Sequence, residues 1–295
     1  MAWDSEPVRD LRLNIGEIIV SIVSDKGFIV DELRAPFVTN KRPDVVGYIR
    51  HGLGSDGFPW QLTDRVMSGG HFGWDLYRWH GRYVALYEGF ETGTPQAVMI
   101  LNSDSDRFEF HVPWQRSDQQ PHSNGHNFHK VLMTQVLPER HGLMLHACGV
   151  ADGELGMLFV GPSGAGKTTM ARLWSNSGEV GVLNDEYCIV RATKGRLWLY
   201  STPWVGSGGF CSFGKVPLKK VFFVEHGKET ECVAVTEIEA VSRLMSQAFL
   251  PVWDKTKMQL VLDTCVNLVQ SVSCCRLPFV PDEGVVQFLR RAQVV

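Results

Sequence analysis

At 295 residues and 33.1 kDa the chain has room for one large domain or two modest ones. Its 44% apolar and 21% charged residues match a soluble globular composition and exclude disordered, collagenous and coiled-coil chains. A net charge of −3 lacks the basic excess that neutralises nucleic-acid phosphates, no apolar run reaches the roughly 18–20 residues of a membrane span, and the opening MAWDSEPVRDLRLN is too charged for a signal-peptide core. The expectation is a soluble, cytoplasmic protein with no nucleic-acid or membrane partner. Seven cysteines, an odd number without a C-x-x-C pair, suit reduced thiols acting as small buried hydrophobes; on a strand, adjacent Cys274 and Cys275 would point to opposite faces.

Residues 1–115 read as β-rich. Glu17–Val23 and Gln96–Leu101 are short and β-branched, and the aromatic runs Trp74–Trp79 and Tyr83–Tyr87 flank His80-Gly81-Arg82, a hairpin signal. Asn102–Asp106 is a turn cluster between two further strands. Five of the nine tryptophans fall in this part, where hairpin packing of large rings is the first explanation and a binding face the second. Polar Arg116–Asn124 reads as a linker, so the division is 1–120, a β-rich N-terminal domain, and 121–295, a second domain.

His126–Leu137 has the spacing of a short amphipathic helix ending before Pro138. Leu143–Val150 and Met157–Val160 are apolar strands joined by a hairpin turn, followed by a helix over Lys167–Ser177 that stops at Gly178. Strands follow at Val180–Leu183, Cys188–Arg191, Leu197–Tyr200 and Val221–Val224. Thr236–Glu239 matches a capping box, Lys255–Gln270 is helical, Leu277–Val280 is a last strand, and Pro281-Asp282-Glu283 opens a final helix. This second part is a mixed α/β domain.

Gly161-Pro162-Ser163-Gly164-Ala165-Gly166-Lys167-Thr168-Thr169 satisfies G-x-x-x-x-G-K-[ST], the Walker A pattern, after a strand and before a helix. The glycines let consecutive amides point into one concavity, to which the helix N-terminus adds partial positive charge. Lys167 would reach the β- and γ-phosphates of a nucleotide such as ATP, and the Thr168 hydroxyl would join a Mg²⁺ shell. An apolar strand then ends in Asn184-Asp185-Glu186. Asp185 lies 18 residues after Lys167, room for one helix and one strand, so a crossover returns the acidic strand tip to the edge that carries the phosphate loop. A carboxylate there can hold Mg²⁺ or orient a nucleophile.

Weaker signals accompany these. His146 is either a satisfied core histidine or, if its strand neighbours the loop strand, a group near the phosphate. His122, His126 and His129 cluster without a carboxylate or cysteine to complete a zinc set, so a solvated helix start is the simpler reading. Thr202–Gly209 is either a plain connection or a mobile substrate loop. Lys215, Lys219 and Lys220 are expected to be solvated.

The stretch Leu145–Val150, then Gly161–Thr169, then Leu183–Glu186 resembles the catalytic domain of HPr kinase/phosphorylase, whose fold is shared with the ATP-dependent phosphoenolpyruvate carboxykinases. Thr202-Pro203-Trp204 and Leu277–Asp282 resemble HPr-kinase-related proteins linked to peptide modification. The resemblance spans about residues 126–290 and implies an α/β, P-loop kinase domain of HPr kinase/phosphoenolpyruvate carboxykinase type, preceded by the smaller β-rich domain. It implies that Asp185 is the base taking the proton of an acceptor hydroxyl. Lys167 and the loop residues Gly161, Ser163, Gly164, Ala165, Gly166, Thr168 and Thr169 would hold the nucleotide. Thr168, Asp185 and Glu186 would face Mg²⁺, and His146 would match a strand histidine close to the phosphate. HPr kinase carries two aspartates where this chain has Asp185 and Glu186, and those kinases are oligomers, which makes a homo-oligomer the expectation by resemblance.

Residues and resemblance together predict a kinase moving the γ-phosphoryl group of ATP to a hydroxyl, a serine of a peptide or protein. Two other readings stand beside it: a kinase for a small molecule such as an amino acid or sugar, and a nucleotide-gated regulator without phosphoryl transfer. Transport ATPases and GTPase switches fit less well, because the loop-to-acid spacing is short and no N-K-x-D guanine reader occurs.

Overall fold

The computed structural model describes residues 8–28, 30–53, 62–68, 74–88, 95–113, 128–178 and 181–291. The linker expected over 116–124, and His122 and His126, lie outside the described residues. The chain divides into two compact units, Met1–Val136 and Leu137–Val295, so the helix after the linker groups with the first unit. Both units are built on a large sheet, and the whole is a mixed α/β protein. Among the described residues no helix is long and apolar enough to cross a membrane.

The first unit contains β1 (Val8–Ile15), β2 (Ile18–Phe28), β3 (Val45–Leu53), β4 (Asp64–Met67), β5 (Asp75–Trp79), β6 (Arg82–Glu88), β7 (Pro95–Leu101), β8 (Arg107–Pro113) and the helix α1 (Phe128–Val136). They form one eight-stranded sheet in the order β1-β2-β3-β8-β7-β6-β5-β4, with β2, β3 and β8 parallel. The β5–β6 hairpin turns on His80 (φ 46°) and Gly81 (φ 74°), the paired positive angles of a two-residue turn that matches strand twist. The turn cluster between β7 and β8 is held by Asn102, whose Oδ1 accepts from the amides of Asp106 (3.2 Å) and Arg107 (3.0 Å). Buried Trp74 packs on Tyr87 and Phe110 with ring centroids 5.7 and 6.2 Å apart, and Trp79 packs on the β6–β7 cluster, so these two serve packing, while Trp3, Trp60 and Trp114 lie outside the described residues. His129 is buried in α1, not at a solvated helix start.

The second unit contains β9 (Gly142–Asp152), β10 (Leu155–Val160), α2 (Lys167–Asn176), β11 (Gly181–Asn184), β12 (Tyr187–Thr193), β13 (Arg196–Tyr200), β14 (Lys215–His226), β15 (Val233–Ala234), α3 (Glu237–Gln247), α4 (Lys255–Ser271), β16 (Ser273–Phe279) and α5 (Gly284–Arg291). β9 and β14 are long enough to belong to three ladders each. The circuit β10–β9–β12–β13–β14 closes on itself, because β14 pairs with β13 through Lys215–Pro217 and runs parallel to β10 through Leu218–Phe223. β11 adds to β9, and β16 and β15 extend the sheet beyond β14.

Strand alternation divides the core. Leu158, Val160, Val221 and Phe223 face one side, where α3 and α4 contribute Ala240, Leu244, Val261, Cys265 and Leu268. Met157, Phe159, Phe222 and Val224 face the other, where α2 and α5 contribute Met170, Trp174, Val285 and Leu289. Cys274 and Cys275 go to opposite faces as their adjacency requires. Buried Cys148, Cys188 and Cys265 behave as small hydrophobes, with thiols pushed up by burial. Cys232 departs from that reading: it is exposed, its Sγ lies 3.0 Å from that of Cys275, and the hydrogen bond between them draws its thiol down to about 7. The helices begin at side-chain caps: Thr236 Oγ1 accepts from the Glu239 amide (3.2 Å) and Asp254 Oδ1 from the Lys257 amide (3.1 Å). Glu239 does not close the capping box reciprocally; its carboxylate takes the Nε of Arg243 at 2.9 Å.

Candidate active site

The glycine-rich loop Gly161–Gly166 leaves β10 at Val160 and enters α2 at Lys167. Gly164 (φ 82°) and Gly166 (φ 105°) occupy left-handed conformations, and a Cβ on Gly166 would lie 2.7 Å from Phe279 Cζ. Gly166 is also the N-terminal cap of α2, and a glycine brings no side chain to the first-turn amides, which leaves that end suited to an anion. Lys167 is 5% exposed and turns back over its own loop, donating to Gly161 O (2.7 Å) and Pro162 O (3.0 Å). Burial draws its ammonium below the usual lysine range, opposed by the carboxylates of Glu186 and Asp185.

The acidic strand arrives as its spacing predicts. β10 and β11 both run antiparallel to β9, so they point the same way with one strand between them. The Thr168 hydroxyl donates to Asp185 Oδ2 across 3.4 Å, and the same oxygen accepts from the Gly208 amide at 3.0 Å. Asp185 is 0% exposed, and its Oδ1 has no hydrogen-bond partner. Burial therefore raises the Asp185 carboxyl above the ordinary range, with the Glu186 carboxylate adding to the rise and the amides of Gly208, Asp185 and Phe210 partly offsetting it. A buried carboxylate with one engaged and one unengaged oxygen is a strong proton acceptor and a ready cation ligand.

His146 lies on β9 one residue beyond its pairing with the loop strand, opposite Tyr187 of β12, and its Nε2 is 3.2 Å from Glu186 Oε1. The second acidic residue is thus joined to the strand histidine, and Asp185 to Thr168. Among the described residues no group of three His, Cys, Asp or Glu side chains could hold a metal by itself. The local donors, the Thr168 hydroxyl and the Asp185 and Glu186 carboxylates, are all oxygen. That set fits Mg²⁺, which takes one or two carboxylates and completes its shell with water and substrate phosphate.

Three features complete the site, and sequence reasoning marked only one of them, Thr202–Gly209, as either a plain connection or a mobile substrate loop. Asn184 is fully buried and holds the site from both sides. Its Nδ2 donates to Trp204 O (2.7 Å) and Thr202 O (3.3 Å), and its Oδ1 accepts from the amides of Glu186 (2.8 Å) and Tyr187 (2.7 Å). The Thr202–Gly209 segment is therefore tied down through its first half, with Thr202 and Trp204 buried. Its glycines then cover the carboxylates: a Cβ on Gly206 would lie 2.5 Å from Glu186 Cβ, and one on Gly208 2.2 Å from Asp185 Oδ2. The third is His226, at the end of β14, which donates from Nε2 to Gly164 O at 2.8 Å and pins the loop from the other flank. The glycine spacing after Trp204 was the one visible sign of the cover; nothing near His226 announces its role. Of the three lysines, Lys215 lies over the Trp198 ring at 4.3 Å and Lys219 is solvated.

No family model matches the chain, and no curated protein matches it. Among solved structures, the chain is similar to the HPr(Ser) kinase/phosphatase from Coxiella burnetii, with 9% sequence identity and a TM-score of 0.29, over 51% of this chain and 92% of that one.

Proposed function

We propose that the protein is a Mg²⁺-dependent kinase that moves the γ-phosphoryl group of ATP to a hydroxyl, a serine of a peptide or protein. The observation that carries the proposal is the meeting of Thr168 with Asp185: a phosphate-loop hydroxyl 3.4 Å from a fully buried carboxylate whose second oxygen has no partner. In this reading the loop amides and the start of α2 hold the β- and γ-phosphates, and Lys167 exchanges its loop carbonyls for phosphate oxygens. Thr168, Asp185 and Glu186 would hold Mg²⁺, which neutralises charge on the triphosphate when bound. Asp185 Oδ1 accepts the acceptor's hydroxyl proton as the serine oxygen bonds to the γ-phosphorus and the bond to the β–γ bridging oxygen breaks, releasing ADP. Glu186, joined to His146, lines the same edge and orients the approach. Most of the rate comes from positioning and charge neutralisation.

The test incubates γ-labelled ATP and Mg²⁺ with the purified protein and a peptide and protein pool. Label is expected on serine with the wild type, with Lys167→Ala and Asp185→Asn slower by roughly 100-fold or more. Normal transfer in either variant, or label confined to nucleotide and free phosphate with the wild type, would overturn the assignment.

A further inference from the structure

A cavity of about 540 Å³, within the roughly 300–1,000 Å³ of small-molecule sites, opens beside the phosphate loop on the flank away from Asp185. The strand order places it there. β10 is bordered by β9 on one side and β14 on the other; Asp185 comes from β11 beyond β9, whereas the cavity lies against the end of β14 and the last turns of α3. Its wall includes Gly161 and Ser163 of the loop, Glu225 and His226 of β14, and Arg243 and Gln247 of α3.

The charges in this cavity are already paired. Arg243 donates from NH1 to Glu225 Oε1 (2.6 Å) and from Nε to Glu239 Oε1 (2.9 Å), so one guanidinium faces two carboxylates. A phosphate entering here would have to compete with both, which favours an uncharged occupant. The guanidinium also lies over the Phe223 ring at 5.7 Å, and an arginine held this way offers a planar surface for an aromatic ring system to stack on. His226 joins cavity and loop through its bond to Gly164 O.

We propose that this cavity takes the base and ribose of the nucleotide, so that donor and acceptor enter from opposite flanks of β10. The inference rests on the phosphate-loop reading above and adds where the nucleoside goes. The Asp185 flank, covered by Gly206 and Gly208, is left for the acceptor hydroxyl.

The experiment is calorimetric titration of the full chain with Mg·ATP and with Mg·tripolyphosphate, which has the phosphates but no nucleoside. Ser246 is an exposed residue of the cavity wall, so Ser246→Trp fills it, Ser246→Ala is the conservative control, and Gln247→Trp repeats the block should the first variant misfold. Wild type is expected to bind ATP at least tenfold more tightly than tripolyphosphate. The tryptophan variants should lose at least tenfold for ATP and keep tripolyphosphate within twofold, and Ser246→Ala should behave as wild type. Equal wild-type affinity for both ligands, or a tryptophan variant that weakens both or neither, would overturn the assignment. Unchanged ATP binding with lost transfer would likewise overturn it and give the cavity to the acceptor. A wild type that binds neither ligand removes the phosphate-loop reading, and this inference with it.

Discussion

In the role proposed for it, Asp185 sets stability against chemistry. Burial raises its carboxyl above the unfolded value, so its favourable contribution is complete below about pH 4 and is lost as pH rises through the folded value. Asp185→Asn is therefore expected to raise the Tm of the ligand-free protein at pH 7–8 by on the order of a few degrees. The gain should shrink toward zero near pH 4, and thermal unfolding across that range checks it. The glycine above Asp185 is equally exacting. Gly208→Ala sets a Cβ 2.2 Å from Asp185 Oδ2 and 2.7 Å from Thr168 Cγ2, and should cut transfer by roughly 100-fold through misplacement. Gly214→Ala, whose Cβ would meet only Leu183 Cδ2 at 3.5 Å, should leave transfer near wild type in the same assay.

At the scale of elements, Asn184 ties the end of β11 to the Thr202–Trp204 segment and the start of β12. Asn184→Ala strands several buried polar groups and should lower stability by about 2–3 kcal/mol in urea unfolding. Elements were legible in the sequence where one physical signal was undisturbed. The loop, Lys167, Thr168 and the acidic strand tip were legible from glycine pattern and spacing, and the His80-Gly81 turn from its flanking aromatics. β14 was read only over Val221–Val224, because Pro217 and the lysines before that run mask a strand of 12 residues that changes partner midway. β3 was missed for a similar reason. Gly47 is its third residue, where the Phe108 ring occupies the space of the absent Cβ, 1.9 Å away, so the packing that needs glycine weakens the strand signal. Asn184 was invisible as an anchor because its Nδ2 donates to backbone groups 18 and 20 residues away.

At the scale of the molecule, every residue assigned here to phosphate, cation or nucleoside lies within Leu137–Val295, the second compact unit. A chain beginning at Leu137 is therefore expected to bind Mg·ATP within about threefold of the full-length affinity by calorimetry. A larger loss would assign part of the nucleotide site to the first unit. Transfer to a protein acceptor by the same shortened chain would show how much acceptor recognition the tryptophan-bearing first unit supplies.

The closed circuit of five strands has a consequence for solvent exchange. β10 has a hydrogen-bonded neighbour on each side, so no edge can peel away to admit water. Its amides should take up deuterium only when the whole unit opens, while those of the loop that follows exchange through local fluctuation. A ligand seated on the loop would slow β10 exchange by the factor 1 + [L]/Kd, as for any ligand that binds only the folded state. The strand that carries the loop would then report the affinity of each candidate nucleotide, with no turnover required.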